Sequence, residues 1–371
     1  MTTIFDGEVI RASTLEVRKD NWSDTRVVTD ETMVQLGENE VLLQIDRLAL
    51  TANNISYAAS GDALGYWRFF PADDGWGRVP AMGWADVVAS NHAGIVVGER
   101  VWGFFPFSTH LKILAGKVSQ QSFSDVSIHR DGLAPVYAQF DRASAYAIYE
   151  QAREDQDSLL RGLYMTSWLV ADFMEMNNFF GASSCLITSA SSKTSIALGH
   201  CVQRHDGVSS LALTSAGNVA FCESLGCYDS VLTYEQISTL DAQESVVVVD
   251  MAGSASILSE LHHHYADNMK YSCRIGATHV DSVGAVHDLP GATPEFFFAP
   301  GHIQIRSKEL GPAELMMRLG SAYVAFRQFC DTWLQVEDSV GAEAVAAVYQ
   351  RVLAGKADPA TGQIISLWEQ R

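Results

Sequence analysis

Between Ser189 and Ser195 the chain reads S-A-S-S-K-T-S, a run of small and hydroxyl side chains. It follows the apolar Cys185, Leu186 and Ile187, and it opens a stripe of Ile196, Leu198, Cys201 and Val202 at helical spacing. Small side chains let an anion approach the backbone, and Ser191, Ser192 and Thr194 carry hydroxyls that can donate to it. A helix N-terminus adds free N–H groups and the positive end of its dipole. The chemistry suited to such a turn is holding the diphosphate of a dinucleotide. Lys193 places a cation where the dipole disfavours one, a cost that a bound anion removes. The glycines of G-x-G-x-x-G are absent, and a plain strand-turn-helix with a Ser or Thr cap would use the same residues. A triphosphate-binding P-loop would need glycine where Ile187 and Ser192 stand, and is set aside.

The second chemically suggestive stretch runs from Thr51 to Val87, dense in aromatic residues, Gly and Asn and without a regular period. It reads as a long irregular binding loop. Asn53, Asn54, Tyr57, Tyr66 and Trp67 are candidate pocket residues, because Tyr and Trp join an apolar body to a polar tip. Tyr57 and Tyr66 are candidate proton donors to a substrate. Packing in the core of a small β domain would also account for each aromatic taken singly.

These residues need elements to position them. Glu40 to Leu50 reads as a half-buried strand, and His92 to Phe107 as two short strands broken by Gly98 and Gly103. Ser158 to Asn177 carries a helical stripe. Beyond the hydroxyl turn come short apolar runs at Leu211 to Thr214, Val231-Leu232, Ser245 to Asp250 and Tyr271 to Gly276, with helix-like segments between. That alternation describes a doubly wound parallel sheet, with its ligand crevice at the carboxyl ends of the strands. Ser189, Ser215 and Gly253 all fall at such ends. The end of the second strand offers Thr214, Ser215 and Asn218 rather than a carboxylate, which favours NADP over NAD. Pro294 to Pro300 reads as a buried or interface strand, Ala313 to Trp333 and Gly341 to Leu353 as helices, and Gly362 to Trp368 as a closing strand.

The 371 residues carry 25 basic and 44 acidic side chains, a net charge of −19 that repels nucleic acid and anionic membranes. An apolar fraction of 47% suits two domains with real cores. No leader-like start and no membrane-length apolar run is seen, so a cytoplasmic protein is expected. Six cysteines scattered through apolar runs, with no C-x-x-C pair, fit buried thiols better than a disulfide frame.

The order of parts resembles the medium-chain dehydrogenase/reductase superfamily: a β-rich first domain with V-G-E-R-V-W-G (Val97 to Gly103), a nucleotide fold, then a return to the first domain. It looks most like the zinc-free quinone and enoyl reductase branch. Through N-N-I-S-Y-A (Asn53 to Ala58), G-Y-W-R-F-F-P (Gly65 to Pro71), S-A-S-S-K-T-S and F-F-F-A-P (Phe296 to Pro300) it is similar to a bacterial domain-of-unknown-function family within that superfamily. The resemblance implies an α/β protein with a GroES-like β-rich domain at 1–150, completed by 298–371, and a Rossmann dinucleotide domain at 151–297. It implies NADP(H) held by Ser189, Ser191, Ser192, Lys193, Thr194, Ser215, Asn218, Tyr234, Gly253 and Gly276, with the diphosphate at Ser191 to Thr194. Tyr57 is then the expected proton donor, with Asn54 and Tyr66 as helpers, and a homodimer is expected.

No zinc is expected, because no converging Cys, His and carboxylate pattern is present and the segment of interest reads Met82-Gly83-Trp84-Ala85. The His262-His263-His264 run reads as an exposed helix end rather than a metal site. The expected function is NADPH-dependent reduction of an activated C=C or carbonyl group of a small apolar substrate. The alternative is a non-catalytic NADP(H)-binding sensor or scaffold protein.

Overall fold

The computed structural model describes residue 4 and residues 7–251, 253–275 and 289–369. The chain forms two compact units, one of Met1–Leu159 with Leu334–Arg371, the other of Leu160–Trp333.

The first unit opens with a hairpin of β1 (Val9–Arg18) and β2 (Thr25–Met33), followed by β3 (Glu40–Leu50). Then come α1 (Ala52–Ala59), α2 (Tyr66–Phe69), β4 (Trp76–Gly77), β5 (Pro80–Ser90) and β6 (Arg100–Pro106). The strands β7 (His110–Gly116), β8 (Ser122–Asp125) and β9 (Gln139–Arg142) complete this part. In β3, Val41, Leu43 and Ile45 are buried at the strand period of two. Helix α3 (Glu154–Met176) starts in the first unit and continues into the second.

The second unit alternates strand and helix: β10 (Ser184–Ile187), α4 (Lys193–Val202), β11 (Ser209–Thr214), α5 (Val219–Leu225) and β12 (Ser230–Thr233). These are followed by β13 (Val246–Asp250), α6 (Ala255–Tyr265), β14 (Met269–Arg274) and β15 (Pro294–Phe296), then α7 (Ala299–Leu310) and α8 (Pro312–Cys330). The six strands are parallel in the order β12-β11-β10-β13-β14-β15. Strand order therefore reverses between β10 and β13, the point where open parallel sheets bind ligands. Every residue of β10 and β13 is buried, as unbroken apolar runs in a sheet covered on both faces require.

The chain then returns to the first unit through β16 (Gln335–Val340), α9 (Ala342–Leu353) and β17 (Thr361–Ser366). This gives the sheet order β16-β17-β3-β5-β6-β9-β8-β7, and the additional pairing of β3 with β7 curls it back on itself. Val345, Val348 and Tyr349 of α9 join the core formed by β1, β3, β5 and β6.

Four expectations are corrected. The stretch after Thr51 is ordered as α1, α2 and β5 rather than an irregular loop, because Thr51 and Asn54 form a capping box that starts α1. The region 92–107 holds one strand rather than two: residues 92–99 form turns, with Gly98 at φ 98°, and β6 runs through Gly103, where an added Cβ would lie 2.5 Å from the ring of Phe140. The segment 298–333, expected to complete the first domain, forms the helical pair α7 and α8 of the second unit. His262 is buried, with Nδ1 bonded to the Pro290 carbonyl and Nε2 to Ser272, so only His263 of the three histidines is exposed.

Candidate functional site

The hydroxyl turn lies at the carboxyl end of β10. Ser189 adopts φ 49°, a left-handed conformation that glycine would take without strain. It is held by its N–H donating to Tyr234 Oη at 3.0 Å, while the Ala190 N–H donates to the Leu213 carbonyl at 3.0 Å. Tyr228 Oη donates to the Ala190 carbonyl at 2.8 Å. Ser192 is the N-cap of α4, its Oγ accepting from the Ser195 N–H at 3.2 Å. Ser195 is fully buried and donates its own hydroxyl to the Thr188 carbonyl at 2.8 Å. Ala190, Ser192 and Ser195 occupy the three glycine positions of a G-x-G-x-x-G spacing, so small size is kept and hydroxyl bonds replace glycine's freedom.

A diphosphate fits what remains. The N–H groups of Ser191 and Thr194 have no protein acceptor among the described residues, and Ser191, Ser192, Lys193 and Thr194 are only partly buried. At the end of β11, Asn218 Nδ2 donates to Ser191 Oγ at 3.0 Å and to Ser215 Oγ at 3.2 Å, bringing the two serine-bearing loops together. Ser215 is exposed. Gly253, at φ 68°, follows β13, and its N–H donates to Asp250 Oδ1 at 3.2 Å. Gly276 lies outside the described residues.

Sequence reasoning missed Thr188 and Asp250 here. Thr188 Oγ1 donates to Asp250 Oδ1 at 2.9 Å and accepts from the Met251 N–H at 2.9 Å, with both side chains buried. The signal was available in a carboxylate ending the run Val246 to Val249.

In the first unit, Tyr57 and Tyr66 come together as stacked rings 4.6 Å apart, in a cluster with Phe69, Phe104 and Tyr137. Tyr137 was not anticipated; its ring stacks on Phe104 at 4.5 Å, and its hydroxyl meets that of Tyr66 at 3.5 Å. Tyr57 and Tyr137 are partly exposed and Tyr66 is buried. Burial, and then the neighbouring phenols, push the ionisation of Tyr57 and Tyr66 well above the usual tyrosine range. They therefore stay protonated and act as hydrogen-bond donors, while full proton transfer from them is costly.

Two expected pocket residues serve packing instead. Asn54 is buried, its Oδ1 accepting from the Thr51 N–H at 2.6 Å and its Nδ2 donating to the Pro80 carbonyl at 2.7 Å, so its amide fixes the start of α1. Trp67 is buried against Gly61 and Gly77, where an added Cβ would come within 2.0 and 2.4 Å of its ring. Asn53 is exposed.

Among the described residues, no group of three or more His, Cys, Asp or Glu side chains is placed to hold a metal ion. Burial pushes the thiols of Cys185 and Cys227 up to about 12, which leaves them poor nucleophiles at neutral pH. No helix among the described residues is long and apolar enough to cross a membrane.

The fold is shared with solved reductase structures. An enoyl thioester reductase from Candida tropicalis is 12% identical at a TM-score of 0.54, over 96% of this chain and 100% of that one. A mutant Etr1p in complex with NADP and crotonyl-CoA is 13% identical at a TM-score of 0.57, over 97% and 100%. The quinone oxidoreductase from Coxiella burnetii is 12% identical at a TM-score of 0.51, over 96% and 99%. The protein thus has the medium-chain dehydrogenase/reductase fold, a GroES-like β-rich domain with a Rossmann domain. The chain belongs to the DUF2855 family, described as a protein of unknown function, whose model matches residues 48–358. No curated protein matches the chain.

Proposed function

We propose that the protein is a zinc-independent oxidoreductase of the medium-chain type that binds NADPH and reduces an activated C=C or carbonyl group of a small apolar substrate. The observation that carries this reading is the hydroxyl turn after β10: small residues at glycine positions, Ser191 and Thr194 N–H groups with no acceptor among the described residues, and a place at the strand-order reversal. The diphosphate would rest on Ser191 to Thr194. Ser215 and Asn218, neutral donors rather than a carboxylate, favour a 2′-phosphate, with Tyr234 holding the turn from below. Gly253 and Gly276 would border the nicotinamide half. When bound, NADPH supplies a hydride to the acceptor carbon.

Tyr57 and Tyr66 would hydrogen-bond the substrate oxygen in their protonated form, with Asn54 fixing the helix that carries Tyr57. The homodimer reading is supported by the edge strand β15 and the exposed Phe296 and Phe298 beside it. One observation favours the sensor or scaffold alternative: Ser192 already caps Ser195, and Asn218 already bridges two serines, so part of the turn's donor capacity is spent internally. NADPH oxidation screened over quinones, enones and enoyl thioesters, beside direct binding by calorimetry, separates the two. Turnover on one acceptor class supports the reductase, and tight binding with no turnover on any of them supports the sensor.

A further inference from the structure

Strands β10 and β13 are neighbours in the sheet but belong to different halves of the dinucleotide fold, and a dinucleotide lies across the crevice between such halves. One buried contact ties the loops that leave them. Thr188, the first residue after β10, uses a single hydroxyl twice, donating to Asp250 Oδ1 at 2.9 Å and accepting from the Met251 N–H at 2.9 Å. The same Asp250 oxygen accepts from the Gly253 N–H at 3.2 Å, so the carboxylate holds the loop after β13 while the hydroxyl holds the carboxylate. Thr188 is fully buried and Asp250 is 2% exposed, so water does not compete for these bonds. On the other side of β10, Ser189 and Ala190 are anchored through Tyr234, Leu213 and Tyr228. Thr188 meets the phosphate turn through a different group, its carbonyl, which accepts from Ser195 Oγ at 2.8 Å, so the hydroxyl serves the loop after β13 and the backbone serves the turn.

We infer that Thr188 and Asp250 are positioning residues: their clasp sets Met251 and Gly253 against the phosphate turn, and so governs binding of the nicotinamide half without governing the adenosine half. The inference rests on the NADPH reading above. Its test compares two ligands, NADPH and adenosine 2′,5′-bisphosphate, which carries the adenosine phosphate but lacks the nicotinamide half. Calorimetry on the full chain measures both for the wild type, Thr188→Val, Thr188→Ser and Asp250→Asn.

Valine keeps the shape of threonine but removes the hydroxyl, taking an acceptor from the Met251 N–H and a donor from Asp250 Oδ1. Thr188→Val is expected to weaken NADPH about tenfold while leaving adenosine 2′,5′-bisphosphate within about twofold. Thr188→Ser, which keeps the hydroxyl, is expected to restore NADPH binding. Should Thr188→Val fail to fold, Asp250→Asn carries the same comparison, with a loss of a few-fold confined to NADPH. A role confined to stability would lower the melting temperature and leave both affinities of the folded protein unchanged, which overturns the inference. Equal weakening of both ligands overturns it too, by showing one support rather than two. If the wild type binds neither ligand, the NADPH reading itself has failed and the clasp falls with it; if it binds both and the variants match it, only the clasp has failed.

Discussion

Replacing Asn218 by Asp changes one amide for a carboxylate of nearly the same shape at the point where the 2′-phosphate of NADPH is placed. In the wild type, Nδ2 donates to Ser191 Oγ at 3.0 Å and Ser215 Oγ at 3.2 Å. Both hydroxyls can rotate to donate to a carboxylate instead, so the local structure is expected to persist. The new charge then acts mainly on the ligand. Two unit charges about 6 Å apart repel by about 0.7 kcal/mol at a dielectric of about 80 and about 3 kcal/mol at about 20. Because Asn218 is only partly buried, an intermediate value applies, and NADPH affinity is expected to fall roughly tenfold, about 1.4 kcal/mol. NADH lacks the 2′-phosphate, so its affinity should hold or improve as the carboxylate meets the ribose hydroxyls. Calorimetric titration of both dinucleotides into both proteins gives the ratio directly. Unchanged affinity for both dinucleotides would refute the assignment of Asn218 to the phosphate, and equal loss of both would point to a damaged loop.

Gly199→Ala would place a Cβ 2.4 Å from Tyr228 Cε1, on a helix whose residues 195–202 are all buried. The ring must shift and give up its bond to the Ala190 carbonyl, so a loss of about 1–3 kcal/mol is expected in denaturant titration. His200, stacked on Phe329 at 4.9 Å, is pulled down to about 4 from the ordinary 6.5 by burial and then by Arg204. Its folded-state pKa is lowered, so the unfolded chain binds the proton more readily. Its stabilising contribution is present above pH 6.5 and is lost as pH falls toward 4, amounting to about 2 kcal/mol at pH 5. His110, also held near 4 by burial, acts in the same direction in the first unit. Unfolding followed from pH 8 to 4.5 should show this loss, and His200→Gln should flatten it.

The parallel sheet was legible because fully buried strands leave unbroken apolar runs, of which Val246 to Val249 is the clearest. The hydroxyl turn was legible from the spacing of small residues alone. Other elements were hidden for physical reasons. The Asn-rich start of α1 reads as a loop until Asn54 is seen capping it, a bond that also removes Asn54 from any pocket. Strand β16, Q-V-E-D-S-V, is polar because it forms the edge of its sheet and leaves most of its residues exposed. The Thr188–Asp250 contact joins residues 62 positions apart, and no local pattern announces it. Tyr137 likewise reaches the Tyr57 and Tyr66 cluster only through the packing of segments far apart in sequence.

The central claim is that a turn lined by hydroxyls holds a reduced nicotinamide dinucleotide. Titrating NADPH and NADH into the full chain by calorimetry, with melting followed in parallel, tests it most directly. An NADPH dissociation constant within about 1–100 μM, tighter than that of NADH and accompanied by a raised melting temperature, is the expected result. No heat and no shift in melting with either dinucleotide at millimolar concentration would contradict it.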